Sequence, residues 1–387
     1  MKVAFFSVNC LQDAASGAAR SVRTILEGLA ARGHEALSVT AGCFDAPDHD
    51  DEATMFATNG FSAQGGGVWN LQLNSVEHVG FETGSLQVSR VTARAMKDLV
   101  ERALERLEAF QPDVVLSYGG TAADSLLRVE MGRRGVAQVF YLANPQYKSI
   151  DTFQSCDLIL CDSRATAELY KERLGLLPVP IGKFIEPIEP IPNEKRRYVT
   201  FINPIFEKGV TLFFRIAEMM RQQVPDAMFQ VVESRSTLGN IEAKTGLPFS
   251  HFENIRVIGL QRDMTRVLSR TKVLLVPSLW HESGPRVGLE AMSLGIPVLG
   301  SNHSGLKENV GEGGILFDVP QKMRDDPRLI PPLRVALPWV ATLQDLMTDD
   351  ASYAAASAVA HRFWQDYAAT DRIGPVEALL AEVVAGR

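Results

Sequence analysis

Residues 177–197 read "LPVPIGKFIEPIEPIPNEKRR", with five prolines. Proline fixes φ and lacks an N–H, so this stretch forms neither regular helix nor central strand. It divides a chain of 387 residues into two parts, each long enough to bury a core of its own. The same alternation runs on both sides of it. Short continuous apolar runs, the pattern of parallel strands covered on both faces, are separated by stretches of helical periodicity.

Before the prolines, "KVAFFSV" (2–8), "EALSVT", "PDVVLSYGG" (112–120), "VAQVFYLAN" (136–144) and "SCDLILCDS" (155–163) read as strands. Between the first two, "RSVRTILEGLAARGHE" places Val22, Ile25, Leu26, Leu29 and Ala30 on one helical face and stops at Gly33, giving a βαβ unit. A second helix is expected over 89–110. Residues 44–90, polar and glycine-rich ("SAQGGGVWN"), read as a long excursion with one or two short strands, or as a mobile loop. After the prolines the alternation restarts with "YVTFINP", "GVTLFFRIAEMMRQQ" and "AMFQVVES", then three further strands, "NIRVIGL", "KVLLVPS" and "IPVLGSN". The expected architecture is α/β, with Rossmann-like doubly wound domains at 1–180 and 198–365, a linker at 181–197, and a terminal helix at 366–387 that can pack back on the first domain. Two such halves leave a cleft, and ligands bind beyond the carboxyl ends of the strands.

Composition narrows the functional classes. A formal net charge of −7 without a long basic run argues against a nucleic-acid binder. Four cysteines (Cys10, Cys43, Cys156, Cys161) make no disulfide framework and fit no zinc spacing, so they read as reduced thiols of a cytoplasmic protein. The apolar run at the N-terminus is too short for a signal peptide, and no stretch reaches the ~18 apolar residues of a membrane span. A peripheral membrane contact stays open.

The densest chemistry lies at 281–308, "HESGPRVGLEAMSLGIPVLGSNHSGLKE", directly after the strand "KVLLVPS". A loop carrying Glu282, Ser283, Gly284 and Pro285 leads into a helix beginning near Arg286 and Val287, with Glu290 about one turn inside. Amides of a helix N-terminus beside a glycine-bearing loop suit a phosphate. Glu282 can then reach hydroxyls near that phosphate, and Glu290 can accept from a vicinal diol such as a ribose. "HSGLKE" repeats the arrangement, with free amides expected at Ser304 and Gly305. The plain alternative is that the carboxylates only complement a helix dipole.

The stretch "PSLWHESGPRVGLEAMSLGIPVLGSNHSGLKENVGEGGILF" resembles the signature of retaining glycosyltransferases of the GT-B fold, family 4, the group 1 transferases. The likeness extends more weakly over nearly the whole chain apart from 44–90. It implies two Rossmann-like domains facing each other across a cleft, the first on the acceptor side, the second holding a nucleoside-diphosphate sugar. Glu282 would sit by the sugar hydroxyls and Glu290 would hold the ribose diol. Backbone from Gly284 to Val287 would face sugar and diphosphate, with Ser283, Pro285, Arg286, Ser304 and Gly305 in the same pocket. In "INPIFEKG" Lys208 matches a diphosphate-binding lysine, and Gly17 matches a glycine facing the diphosphate from the first domain. Glu282 and Lys208 would be the catalytic pair.

Three positions depart from the family pattern. Asn203 stands where an arginine is usual, Ala143 where a histidine is usual, and Pro285 where glycine is common. Of the seven histidines, His78, His281 and His303 fall in stretches that read as loops, where a lone histidine is more often a surface residue. The resemblance implies a hexosyltransferase that attacks from the face the leaving group departs, needs no metal or other cofactor, and has a nucleotide sugar as donor. The acceptor would be a saccharide, a lipid-linked molecule or a small molecule, with residues 44–90 helping to choose it. A non-catalytic nucleotide-sugar binder, or a phosphorylase or epimerase of the same fold, is the alternative.

Overall fold

β1 (Lys2–Asn9) is apolar along its length because it is covered on both faces, and it lies at the centre of its sheet. The computed structural model describes residues 1–47 and 49–387. They divide into two compact units, one comprising Met1–Phe184 with Asp371–Arg387, the other Ile185–Thr370.

In the first unit β1 is followed by β2 (Glu35–Cys43), β3 (Ser62–Gly65), β4 (Val68–Leu73), β5 (Val76–Phe81), β6 (Val114–Ser117), β7 (Ala137–Leu142), β8 (Leu158–Cys161) and β9 (Val179–Pro180). Among the described residues they form one sheet in the order β3-β4-β5-β2-β1-β6-β7-β8-β9. All pairs from β5 to β9 are parallel, and β3–β4 and β4–β5 are antiparallel. Helix Gly17–Ala31 buries Val22, Ile25, Leu26 and Leu29 against this sheet. The C-terminal helix Ile373–Ala385 adds Val376 and Leu380 to the same core, and its Glu377 accepts from Arg32 Nε at 2.6 Å.

Residues 44–90 are more ordered than their composition suggests. They hold helix Glu52–Thr58, β3, β4 and β5, and β5 joins the main sheet beside β2; Asp48 alone lies outside the described residues. Gly65, Gly66 and Gly67, all at positive φ, turn β3 into β4, so the triple glycine is a hairpin turn. Glu52 supports the excursion by accepting from the backbone of Thr83 and Gly84 at 2.9 and 2.7 Å. The next helix begins at Ala93, later than expected, because Thr92 caps it through a hydrogen bond to Ala95 N.

The second unit contains β10 (Tyr198–Ile202), β11 (Met228–Val232), β12 (Ile255–Ile258), β13 (Thr271–Val276), β14 (Val298–Ser301) and β15 (Ile315–Phe317). Their order is β12-β11-β10-β13-β14-β15, every pair parallel. This is the doubly wound arrangement in which strand order reverses between the first and fourth strands, here β10 and β13. A crevice opens at such a point, beyond the carboxyl ends of the two strands.

Gly209 fixes how the loops after β10 and β13 meet. Its φ is +80°, and a Cβ there would lie 1.8 Å from the carbonyl oxygen of Pro277. The close approach lets Glu207 O accept from Leu279 N at 2.8 Å and Trp280 N at 2.9 Å. Gly33 has a similar φ, +89°, but nothing within 4 Å of its missing Cβ. Gly33→Ala should therefore cost only the left-handed backbone penalty of about 1–2 kcal/mol. Gly209→Ala should cost more than that, as a larger fall in urea midpoint, because backbone must move. Equal losses in the two variants would show that the loops are not held by this contact.

Candidate functional site

The carboxyl ends of β10 and β13 bring together residues 74 positions apart. Lys208 lies at the end of the loop after β10, and Glu282 lies in the loop between β13 and helix Arg286–Ser293. Lys208 Nζ donates to Glu282 Oε1 at 2.5 Å, and Ser278 Oγ donates to the same oxygen at 2.6 Å. The Glu282 backbone is held as well. Its N–H donates to Ser304 Oγ at 3.1 Å, and its carbonyl accepts from Gly305 N at 2.8 Å. Gly305 is required there, since a Cβ would lie 2.2 Å from Ser283 O.

Glu282 is 6% exposed. Burial alone would raise its pKa. The Lys208 charge, with hydrogen bonds from Lys208 and Ser278, outweighs burial and holds the carboxyl below its ordinary value. Oε2 has no protein donor among the described residues. Unlike Ser283 Oγ and Asn203 Oδ1, it is not shut off from solvent. Lys208 has three N–H groups, of which one goes to Glu282. The pair thus presents one free carboxylate oxygen beside a cation with donors to spare.

His303 supports this arrangement from behind. Its Nε2 lies 2.8 Å from Ser278 O, and a carbonyl only accepts, so Nε2 carries the proton. Burial lowers the His303 pKa, against the Ser278 hydrogen bond, which raises it. His303 is thus a bracket for Ser278 rather than a surface residue. His78 is not in a loop at all: it lies within β5, buried, with Nδ1 2.7 Å from Ser38 Oγ.

Helix Arg286–Ser293 starts behind Pro285, and no side chain caps it. Its first amides lack intrahelical partners, although Pro285 itself supplies no N–H. Arg286 Nε donates to Glu290 Oε1 at 3.2 Å, one turn on, and both side chains are buried. Gly284 and Val287 flank this helix start.

Gly305 differs from its expected role. Its amide is spent on the Glu282 carbonyl and is not free for a ligand. Ser304 contributes its hydroxyl, from a left-handed backbone with φ 51°. Asn203, after β10, is also left-handed at φ 62°, its N–H donating to Val232 O at 2.8 Å. Sparsely populated backbone at non-glycine residues clusters at functional sites, and two such residues flank this one. Gly17 begins a helix in the first unit, behind its cap Ser16, whereas the other candidates all lie in the second.

Residues 196–326 match the family model described as "Glycosyl transferases group 1", a span that contains Lys208, Glu282, Glu290 and Ser304. No curated protein sequence matches the chain. Among solved structures, Anabaena Alr3699/HepE in complex with UDP-glucose is similar at 15% identity and TM-score 0.67, with 100% of both chains covered. The catalytic domain of starch synthase IV from Arabidopsis thaliana, bound to ADP and acarbose, is similar at 12% identity and TM-score 0.66, covering 100% of this chain and 99% of that one. An E. coli structure described as trehalose-6-phosphate bound with UDP-2-fluoro glucose is similar at 12% identity and TM-score 0.63, with 99% of each covered. The fold is GT-B.

In this GT-B chain Ser278 and His303 support Glu282, although the sequence analysis assigns neither a role in the site. Ser278 closes the run "KVLLVPS" and His303 precedes the helix Ser304–Val310, so each marks a strand-to-helix turn and nothing more.

The depressed Glu282 carboxyl ties stability to pH. The folded state binds fewer protons than the unfolded one near the ordinary carboxylate value of 4.5. Its contribution is therefore complete above that value and is lost as pH falls through the folded pKa. Glu282→Gln should lower stability at pH 7 by about 1–3 kcal/mol, the worth of hydrogen bonds to a charged group. The deficit should shrink below pH 4.5 in urea titrations. A deficit that is constant with pH would mean the carboxylate charge is not what these contacts stabilise.

Proposed function

We propose that the chain is a metal-independent, retaining glycosyltransferase that moves a hexose-type sugar from a nucleoside-diphosphate sugar to an acceptor hydroxyl. The observation that carries the reading is the Lys208–Glu282 pair at the β10/β13 reversal, with Glu282 Oε2 free. A carboxylate oxygen without a protein donor accepts from sugar hydroxyls. The remaining Lys208 donors, with the uncapped amides of helix Arg286–Ser293, suit a diphosphate. Glu290 would take the ribose diol. The group 1 match over 196–326 supports the same reading, as do neighbours solved with UDP-glucose and with ADP.

In this reading the bond between the anomeric carbon and the diphosphate oxygen breaks, and the acceptor oxygen bonds to that carbon from the same face. The acceptor proton passes to the departing diphosphate. Negative charge gathers on the diphosphate as this happens, so Lys208 is held where it does the most. Asn203 is neutral and stabilises that charge less than a guanidinium would.

The first test is a thermal-shift panel of UDP, GDP, ADP and dTDP sugars. A donor at a hundredfold excess over Kd should add about 2.7 kcal/mol, and no shift with any of them would remove the donor site. With the donor in hand, Lys208→Ala should lower kcat/KM by ~10²–10³-fold. Asn203→Arg should restore part of that loss. Parental kcat/KM in Lys208→Ala would mean the phosphates are held elsewhere.

The two carboxylates should separate by ligand. Glu290→Gln should weaken the nucleoside diphosphate and the nucleotide sugar alike. Glu282→Ala should impair transfer while leaving affinity for the free nucleoside diphosphate nearly unchanged. Calorimetric titration of both ligands into both variants checks this, and the same loss pattern in each would refute the assignment.

A further inference from the structure

The amino ends of β10 and β12 carry charge that the proposed reaction does not use. β10 and β11 align Thr200 with Gln230, and β11 and β12 align Gln230 with Arg256. Side chains alternate along a strand, so Tyr198, two residues before Thr200, shares a face of the sheet with Arg256. Arg256 reaches back across β11, and its Nη1 donates to Tyr198 Oη at 3.3 Å. Arg197 immediately precedes β10, and its guanidinium lies 4.9 Å from the Tyr198 ring centre. The connection from β12 to β13 holds only the five-residue helix Thr265–Ser269, and Arg197 and Arg256 are both exposed.

Two guanidinium groups thus meet at one phenol, and like charges held together are costly unless an anion lies between them. Among the described residues neither arginine pairs with a carboxylate. Glu194 is close enough to interact with Arg197, but Arg270 donates to both of its oxygens, at 2.8 and 2.7 Å. Asp226 and Glu253, exposed just before β11 and β12, form an ion pair with neither arginine. Burial raises the Tyr198 pKa, yet the hydrogen bond from Arg256 and the charges of Arg197 and Arg256 outweigh it and hold the phenol below its ordinary value. The potential at that oxygen is therefore positive, whatever the carboxylates nearby contribute. The Tyr198 O–H itself has no acceptor among the described residues.

We infer that Arg197, Arg256 and the Tyr198 hydroxyl form a binding site for a phosphate dianion, free or as a monoester. Two guanidinium forks balance its two charges, and the phenol donates its O–H to a third oxygen. A carboxylate, with one charge and two oxygens, would leave one of the three partners unused. Tyr198 opens β10, whereas Lys208 follows the carboxyl end of that strand. Phosphate held here is therefore separate from the diphosphate of the proposed reaction, and neither site requires the other.

The experiment is calorimetric titration of inorganic phosphate and of glycerol 3-phosphate into the full chain, with sodium chloride of equal ionic strength as the control. The parent should bind phosphate saturably, and chloride should give no saturable heat. Arg197→Gln/Arg256→Gln should weaken the binding by about tenfold or more with an unchanged thermal melt, and Tyr198→Phe by about tenfold. Lys208→Ala should leave it in place. Tighter binding of the inorganic ion assigns the site to free phosphate, and tighter binding of the ester assigns it to a phosphorylated small molecule. Absence of saturable binding by the parent overturns the proposal, as does binding that Arg197→Gln/Arg256→Gln retains in full. Binding that only Lys208→Ala loses overturns it too, and assigns the phosphate to the crevice between β10 and β13.

Discussion

One oxygen atom, Glu282 Oε1, receives both Lys208 and Ser278, and the geometry of the candidate site depends on it. Because the carboxylate is nearly buried, it would be costly without those partners; with them it is ionised, oriented and left with one oxygen to offer. The backbone contacts to Ser304 and Gly305 matter as much, because they stop the loop from relieving that cost by turning the side chain outward. Three loops, after β10, β13 and β14, therefore behave as one object.

That object is possible because of where the sheet reverses. The helices that follow β10 and β13 pack on opposite faces of the sheet, so the two loops diverge from a common edge. Gly209 brings one loop against the Pro277 carbonyl, and the resulting backbone hydrogen bonds hold Lys208 near a carboxylate far away in sequence. A single missing side chain thus decides whether the cation and the anion meet.

The strands were legible because parallel strands buried on both faces leave continuous apolar runs such as "KVAFFSV" and "KVLLVPS". Residues 44–90 were not. β3 is exposed throughout and β4 is only half-buried, so neither leaves such a run, and the triple glycine reads as loop when it is the turn between them. At the candidate site, residue types could be named but not their mutual spending. Gly305 looked available because a carbonyl from a different loop, Glu282 O, cannot be read from its neighbours. Ser278 and His303 act on one side-chain oxygen and on one carbonyl, and neither contact has a local pattern.

The C-terminal helix has a consequence for how the protein is made. Val376 and Leu380 complete the core of the unit that begins at Met1, whereas the other unit is continuous from Ile185 to Thr370. During synthesis, which runs from the N-terminus, the second unit has its whole sequence before the first has its last core residues. The unit whose strands emerge earlier is therefore the later of the two to close, and its apolar groove beside helix Gly17–Ala31 stays uncovered until Val376 and Leu380 have been made.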